Sequence, residues 1–380
     1  MKKIVLSHGD ESDILAAIPA LVARYSAGVV TVTVDIGQDG IGGGWRQRAL
    51  DAGAIRAHVL EARDEFARDH VLRTLQACAP GDDAAAQGSA LYRALLADKL
   101  VDIANMEGAS IVAHGLEPQS DESVELERLI LARRSDLVVV AARSAGADQS
   151  ESTGGRPRRL PQATELLCVE STVWWRRAVL DVPGGSSIPR RIPGVRQGLF
   201  TVKAVEQCPP TGASIEIAFE QGVPANINGV EMSLVELIEA VDTIAGDHGV
   251  GRTVTEAAAY GTRRVTIVEA PASRVLASAY AALARAIESP SLWRLHRQLG
   301  KQYVKLLQSG SWHSDTRCAI DAFAGETRKR LSGAVRLELR RGRCAVVRKS
   351  VKTEPADTLD VASAQPLLDP PAAFTVPLPH

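Results

Sequence analysis

The chain has 380 residues, long enough for two or three domains with a sizeable core, and 44 Lys and Arg against 45 Asp and Glu leave a formal net charge of -1. That balance gives no global pull toward nucleic acid or an anionic membrane, and an aromatic content of 4% argues against base stacking as the main activity. With 45% hydrophobic and 23% charged residues the composition is that of an ordinary globular protein, with a core expected to be mostly Ala, Val, Leu and Ile.

In chain order, Lys3–Ser7 reads as a buried strand, and Asp13–Tyr25 carries apolar residues at helical spacing. Val29–Ile36 is a β-branched strand, Arg46–Ala52 a short helix, and Ala57–Leu60 lies in a third strand. Helices follow at Asp64–Ala77, Ala90–Glu107 and Asp121–Arg134, with strands at Ser110–His114 and Leu137–Ala142. Continuous apolar strands alternating with helices predict a parallel sheet covered on both faces. Ligands of such sheets bind beyond the strand C-termini, so the residues after Leu6, Asp35 and His114 are the ones to question.

Residues 143–165 and 181–198 are rich in Gly, Ser, Pro and charge without periodicity and read as loops. Order returns with a strand at Ser214–Phe219, turns at Gly222–Pro224 and Asn228–Gly229, and a helix at Leu234–Ala245. A strand at Val265–Val268 precedes helices near Val275–Ile287, Leu292–Ser309 and Asp315–Leu331. A hairpin over 333–348, turning at Arg341–Gly342, precedes a Pro-rich tail. The expected division is a nucleotide-binding-type α/β domain over 1–165, an α+β domain over 166–350 and a tail over 351–380. No two of the five cysteines lie within twenty residues of one another, so no CxxC-type metal site exists and reduced thiols are expected. The short apolar run near the N-terminus does not suit a signal peptide, and no run approaches the ~20 residues of a membrane span. A cytoplasmic protein is expected.

A turn leading from a strand into a helix N-terminus can cradle phosphates through backbone N–H groups. Here that turn reads Ser7-His8-Gly9-Asp10-Glu11-Ser12-Asp13. The chain also carries Val34-Asp35-Ile36-Gly37-Gln38, His114-Gly115, Phe219 to Pro224 with Asn228-Gly229, Val235 to Glu239, and Ile244 to Arg252. Further on come Glu269-Ala270-Pro271-Ala272, Gly310 to Ser314, Ile320 to Phe323 and Arg348-Lys349-Ser350. In these ordered stretches, over roughly residues 2–350, the chain resembles the argininosuccinate synthases. The resemblance implies an ATP-pyrophosphatase-type nucleotide-binding domain joined to an α+β synthetase domain, ATP with Mg²⁺ as cofactors, and a homodimer or homotetramer. In that family ATP adenylylates the ureido oxygen of citrulline and the amino group of aspartate displaces AMP.

Residue by residue, the resemblance is uneven. At the pyrophosphate cradle, where the family reads SGGLDTS, Ser7 and Gly9 are kept, but His8 replaces a glycine, Asp10 a leucine, Glu11 an aspartate and Asp13 a serine. The adenosine-side Asp35 and Gln38 are intact, as is Gly115. Where the family continues CTGKGNDQVRFE for aspartate, this chain has Glu117 for threonine, Gln119 for lysine, Asp121 and Glu122 for the Asn-Asp pair and Glu125 for arginine. Carboxylates accept where that pocket must donate, so a small-molecule amine or amino-acid-like substrate suits the surface better than aspartate. Around citrulline the family tyrosine becomes Ala85, its threonine corresponds to Ser89 and its arginine to Arg93. Its serines fall at Cys168 and Arg177, its glutamate at Glu256 and a second tyrosine at Val268. Arg93 and Glu256 could form a polar site or a structural ion pair. The pairs Arg176-Arg177 and Arg190-Arg191 could bind an anion or could pair with Glu117, Asp121, Glu122 and Glu125 to fill the old site. Three readings stay open: a ligase with altered substrates, an ATP-independent enzyme on the same fold, and a non-catalytic homologue acting as scaffold or ligand-binding partner.

Overall fold

The computed structural model describes residues 2–8, 12–38, 44–78, 88–145, 164–183, 199–259, 262–353 and the backbone of 357–362. The first strands and helices are β1 (Lys3–Ser7), α1 (Ile18–Tyr25), β2 (Gly28–Asp35), α2 (Trp45–Asp51) and β3 (Arg56–Glu61). After them come α3 (Arg63–Glu65), a π-helical stretch at Phe66–Val71, α4 (Leu72–Ala77), α5 (Gly88–Glu107), β4 (Ile111–His114), α6 (Asp121–Arg133) and β5 (Val138–Ala141). The second half holds β6 (Glu165–Ser171), β7 (Arg176–Pro183), β8 (Ala213–Glu220), β9 (Val223–Ile227), β10 (Val230–Glu231), α7 (Leu234–Asp247), β11 (Arg252–Ala259) and β12 (Thr262–Glu269). It closes with α8 (Pro271–Ile287), α9 (Pro290–Gln308), α10 (Asp315–Thr327), β13 (Gly333–Arg340), β14 (Arg343–Thr353) and β15 (Asp357–Ala362). Contacts divide the chain into two units: one of residues 1–66, 89–158 and 305–319, the other of 67–88, 159–304 and 320–380.

The first unit is built on the expected parallel sheet, in the order β3-β2-β1-β4-β5. Ile4, Val5 and Leu6 are fully buried and every residue of β2 is buried, as a sheet covered on both faces requires. One face packs Ile4, Leu6 and Val29 with Ile18, Leu21 and Ala49 of the helices. The helix expected from Asp13 becomes regular only at Ile18; Ser12–Ala17 is a 3₁₀ turn. Pro19 explains the difference, since it has no N–H to give a preceding turn but is tolerated at a helix start.

The opposite, N-terminal edge of this sheet is pinned by one buried carboxylate. Glu107, with 2% of its side chain exposed, takes Lys3 at 2.8 Å, Arg56 at 2.6 Å and His58 at 3.0 Å. The Lys3 hydrogen bond, followed by those of His58 and Arg56, overcomes desolvation and pulls the Glu107 carboxyl down to about 2. Its folded pKa lies below the unfolded value, so the stabilisation is present above the unfolded value and lost as pH falls toward 2. Glu107→Gln should cost about 2 kcal/mol at pH 7, discounted because the cations are partly solvated, and should flatten the acid limb of a urea-denaturation series. An unchanged acid limb would show that the cluster does not couple to folding.

The second unit holds two antiparallel sheets. One runs β10-β9-β8-β13-β14-β15 and the other β11-β12-β7-β6. Helices α7 and α8 pack together, α7 against β9 and α8 against β13 and β14. A capping box starts α7: the Ser233 hydroxyl accepts from the Glu236 N–H while the Glu236 carboxylate accepts from the Ser233 N–H. The hairpin turns at Arg341–Gly342 as expected, both residues at positive φ (45° and 81°), the geometry that matches strand twist.

Several boundaries differ from expectation. The loop expected over 143–165 ends in β6, β7 runs to Pro183 inside the second expected loop, and Val223 and Pro224 belong to β9 rather than to the turn. Asp315–Leu331 is α10 followed by a 3₁₀ turn at Arg328–Arg330. Asp357–Ala362, expected in the tail, pairs antiparallel with β14. Among the described residues no helix is long and apolar enough to cross a membrane.

Candidate functional site

The strand order places β1 and β4 side by side, with connections leaving in opposite directions, so the C-terminal ends of these strands form the switch-point edge of the sheet. His8 follows β1 directly, and its backbone N–H donates to Val32 O at 2.8 Å, extending the ladder by one residue. Its side chain turns inward and is 2% exposed. Nδ1 lies 3.2 Å from Thr33 Oγ1, and the ring meets Trp45 edge-on at 4.8 Å between centroids. The Arg48 guanidinium sits 4.0 Å above the Trp45 ring. Burial, and then the Arg48 charge, lower the His8 pKa to about 4, so the imidazole is neutral at pH 7. Its Nε2 is buried with no hydrogen-bond partner among the described residues. Gly9, Asp10 and Glu11 lie outside the described residues, as do the side chains of Ser12 and Asp13.

The retained motif after β2 is bound to itself. Gln38 Oε1 accepts from the Ile36 N–H at 2.7 Å while its Nε2 donates to Val34 O at 2.9 Å. Asp35 Oδ1 accepts from the Gly37 N–H at 2.8 Å, and the Asp35 carboxylate also takes the Arg63 fork at 3.3 Å. Asp35 and Gln38 therefore set the shape of the turn, a role that needs no ligand. At the end of β4, His114 is fully buried; its Nε2 lies 3.4 Å from Glu127 Oε1 and 3.5 Å from Ser123 Oγ. Burial lowers the His114 pKa, with Glu127 opposing. Gly115 O accepts from Arg143 Nε at 2.8 Å.

The acidic segment divides into two parts. Glu117 and Asp121 are exposed and Glu122 is half-buried, at or before the first turn of α6, where carboxylates complement the helix dipole. Ser120 caps that helix, accepting from the Ser123 N–H at 3.1 Å. Glu125 instead points into the protein, with Oε2 accepting Arg93 Nε at 3.0 Å and Nη2 at 2.6 Å. Only 8% of its side chain and 12% of that of Arg93 remain exposed. Burial pushes the Glu125 carboxyl up, with Arg93 opposing and Glu122 adding to the rise.

Two of the pairings left open by the sequence are not the ones formed at Glu125 and Arg93. Glu125 pairs with Arg93 rather than with Arg176 or Arg177: Arg176 reaches Asp242 at 2.6 Å and Arg177 reaches Glu170 at 3.6 Å. Arg190 and Arg191 lie outside the described residues. Arg93 and Glu256 each have their own ion pair, since Glu256 takes Arg263 at 2.8 Å across β11 and β12, where both are more than a third exposed. Ser89 is buried one turn before Arg93, while the side chain of Cys168 and residue Ala85 lie outside the described residues.

Other retained motifs serve the second unit's frame. Glu269 is fully buried, accepts from Arg252 Nε at 2.7 Å, and holds the Thr201 and Val202 N–H groups at 2.8 and 3.2 Å. Residues that sequence reasoning missed are Thr33, Trp45, Arg48 and Arg63, which surround His8 and Asp35. The alternation of β2 puts Thr31 and Thr33 on one face, which was a readable signal; the approach of Trp45 across a Gly-rich loop was not.

For nucleotide chemistry these described residues offer two buried imidazoles, His8 and His114, and a self-satisfied turn. No group of three or more metal-ligating side chains gathers among them. They do not by themselves make a polyphosphate–Mg²⁺ clamp.

Comparison with known proteins matches residues 3–153 to the argininosuccinate synthase N-terminal HUP domain and residues 195–364 to the argininosuccinate synthase C-terminal domain. Similar curated proteins include argininosuccinate synthases of Synechococcus elongatus, 31% identical with 92% of this chain and 88% of the relative covered, and of Dehalococcoides mccartyi, 32% identical with 92% and 87% covered. That of Symbiobacterium thermophilum is 33% identical, with 90% of this chain and 86% of the relative covered. The parallel sheet with its switch-point edge, the ordered motifs and this coverage along nearly the whole chain lead to one conclusion: the chain belongs to the argininosuccinate synthase family.

Proposed function

We propose that this family member has a remodelled site, keeps the carbon–nitrogen ligase scaffold, and joins a different amine from aspartate. The observation that carries the reading is the Arg93–Glu125 pair at 2.6 Å. The arginine that resembles a citrulline ligand is neutralised by a carboxylate that stands where the family has an arginine. A site for two amino-acid substrates needs cationic donors for their carboxylates; this one has spent a donor on an internal acceptor. The exposed Glu117 and Asp121 extend the reversal to the aspartate side. ATP with Mg²⁺ remains the activating cofactor that the family implies, and a cytoplasmic homodimer or homotetramer the expected assembly.

A pyrophosphate-release assay with ATP and Mg²⁺ tests the reading. Citrulline with aspartate should give no argininosuccinate above background, whereas a screen of other amines against ureido and carboxylate acceptors should give release. Argininosuccinate formed at a rate within about tenfold of a family enzyme would overturn it. A non-catalytic role is the second reading, favoured by the buried neutral His8 where the family has a glycine open to phosphates. It predicts no calorimetric heat with millimolar ATP, with or without Mg²⁺.

A further inference from the structure

We infer that the Arg93–Glu125 pair forms the recognition point for a cationic donor, an ammonium or guanidinium group on the substrate, received by Oε1 of Glu125. This rests on the remodelled-site reading and specifies its substrate. An ionised carboxylate has two oxygens and about four acceptor sites. An arginine set against a carboxylate for structure alone commonly engages both oxygens through parallel bonds. Here both Arg93 bonds converge on Oε2, at 3.0 and 2.6 Å. Oε1 is buried and has no hydrogen-bond partner among the described residues. A half-satisfied buried carboxylate is costly, and that cost becomes useful if a ligand completes it.

The surroundings fix the sign of that ligand. Oε1 of the ionised carboxylate can only accept, so a ligand carboxylate brought to it would find no donor and would meet a like charge. Glu122 lies close enough to add negative potential at Glu125, and the exposed Glu117 and Asp121 on the same segment extend the field. The carboxylate also has little freedom to withdraw. The turn at Gly310 (φ +67°) presses on it so closely that a Cβ there would stand 2.9 Å from Glu125 O and 3.1 Å from its Cγ. Oε1 itself is buried, while 12% of Arg93 and 8% of Glu125 remain exposed, so the pair lies near solvent and a cation reaches Oε1 by displacing a neighbouring side chain.

Calorimetry on the full-length protein tests this with probes of matched shape: 1,4-diaminobutane and 4-guanidinobutylamine as cations, 1,4-butanediol as the neutral isostere and succinate as the dianion. The cations should give saturable heat and the other two none. Glu125→Gln should weaken cation binding about tenfold or more, while Glu239→Gln, at an exposed acid of α7, should change it less than about twofold. Glu125→Asp, which keeps the charge but draws it back, should also lose about tenfold and serves if the glutamine variant does not fold. Succinate binding as tightly as the diamine, cation binding unaffected at Glu125, or no cation binding at millimolar probe would overturn the inference. The assay with citrulline and aspartate separates the two levels. Argininosuccinate formation sinks the remodelled-site reading itself, whereas its absence together with no cation binding sinks this inference alone.

Discussion

Glu125→Ala is expected to lower the unfolding free energy by about 3 kcal/mol at pH 7, because it strands the Arg93 guanidinium, 12% exposed, without its carboxylate. Arg93→Met alone should cost a similar amount by leaving the carboxylate unpaired. The double variant Arg93→Met/Glu125→Leu should recover most of either loss, since apolar replacement of a buried pair is often close to neutral. Urea denaturation of the wild type, Arg93→Met, Glu125→Leu and the double variant closes a double-mutant cycle, and a coupling above about 1 kcal/mol is expected for residues in direct contact. Additive losses would show that the pair is not an energetic unit and would remove the main support for the proposed remodelling. Glu125→Gln should cost less than alanine, because the amide keeps a carbonyl oxygen that can accept from Arg93.

The second large effect is a loss of stability on mild acidification that originates at His8. Its pKa falls from 6.5 to about 4 in the folded protein. A histidine with a lowered folded pKa takes up a proton more readily when unfolded, so stability falls as pH drops from 6.5 toward 4 and is unaffected above that window. The full shift corresponds to about 3 kcal/mol. His8→Phe should flatten this part of the stability–pH curve while leaving the steeper acid limb near pH 2 to 4, where Glu107 titrates. The His8 ring resonances should show no titration above about pH 5. A midpoint near 6.5 would place the ring in water and contradict the packing against Thr33 and Trp45.

Most of the first unit was readable from local patterns, because strands covered on both faces are continuous apolar runs and its helices carry apolar residues at helical spacing. In the second unit, α7 with its Ser233 cap and the Arg341–Gly342 turn were equally readable, since caps and tight turns are chemistry between near neighbours. The strands β6, β7, β9 and β11 were not. Arg176 and Arg177 open β7 and Pro183 ends it, so its composition resembles the loops beside it. Its pairing with β12 and β6 depends on residues far along the chain.

The candidate site shows the same division. The sequence by itself determined the fold class, the family resemblance and the run of acids Glu117, Asp121, Glu122 and Glu125, because residue identity alone carries charge. Which of these acids is solvated and which is buried against an arginine was decided only by the tertiary structure. Glu125 and Arg93 are 32 positions apart on α6 and α5, and their meeting depends on how those helices pack. Likewise the resemblance puts Asp35 and Gln38 on the adenosine side, and only the tertiary structure shows their hydrogen bonds closing on the backbone of their own turn. The physical reason is range: periodicity, caps and charge act over a few residues, whereas the pairing of a buried ion depends on which elements share a face of the core.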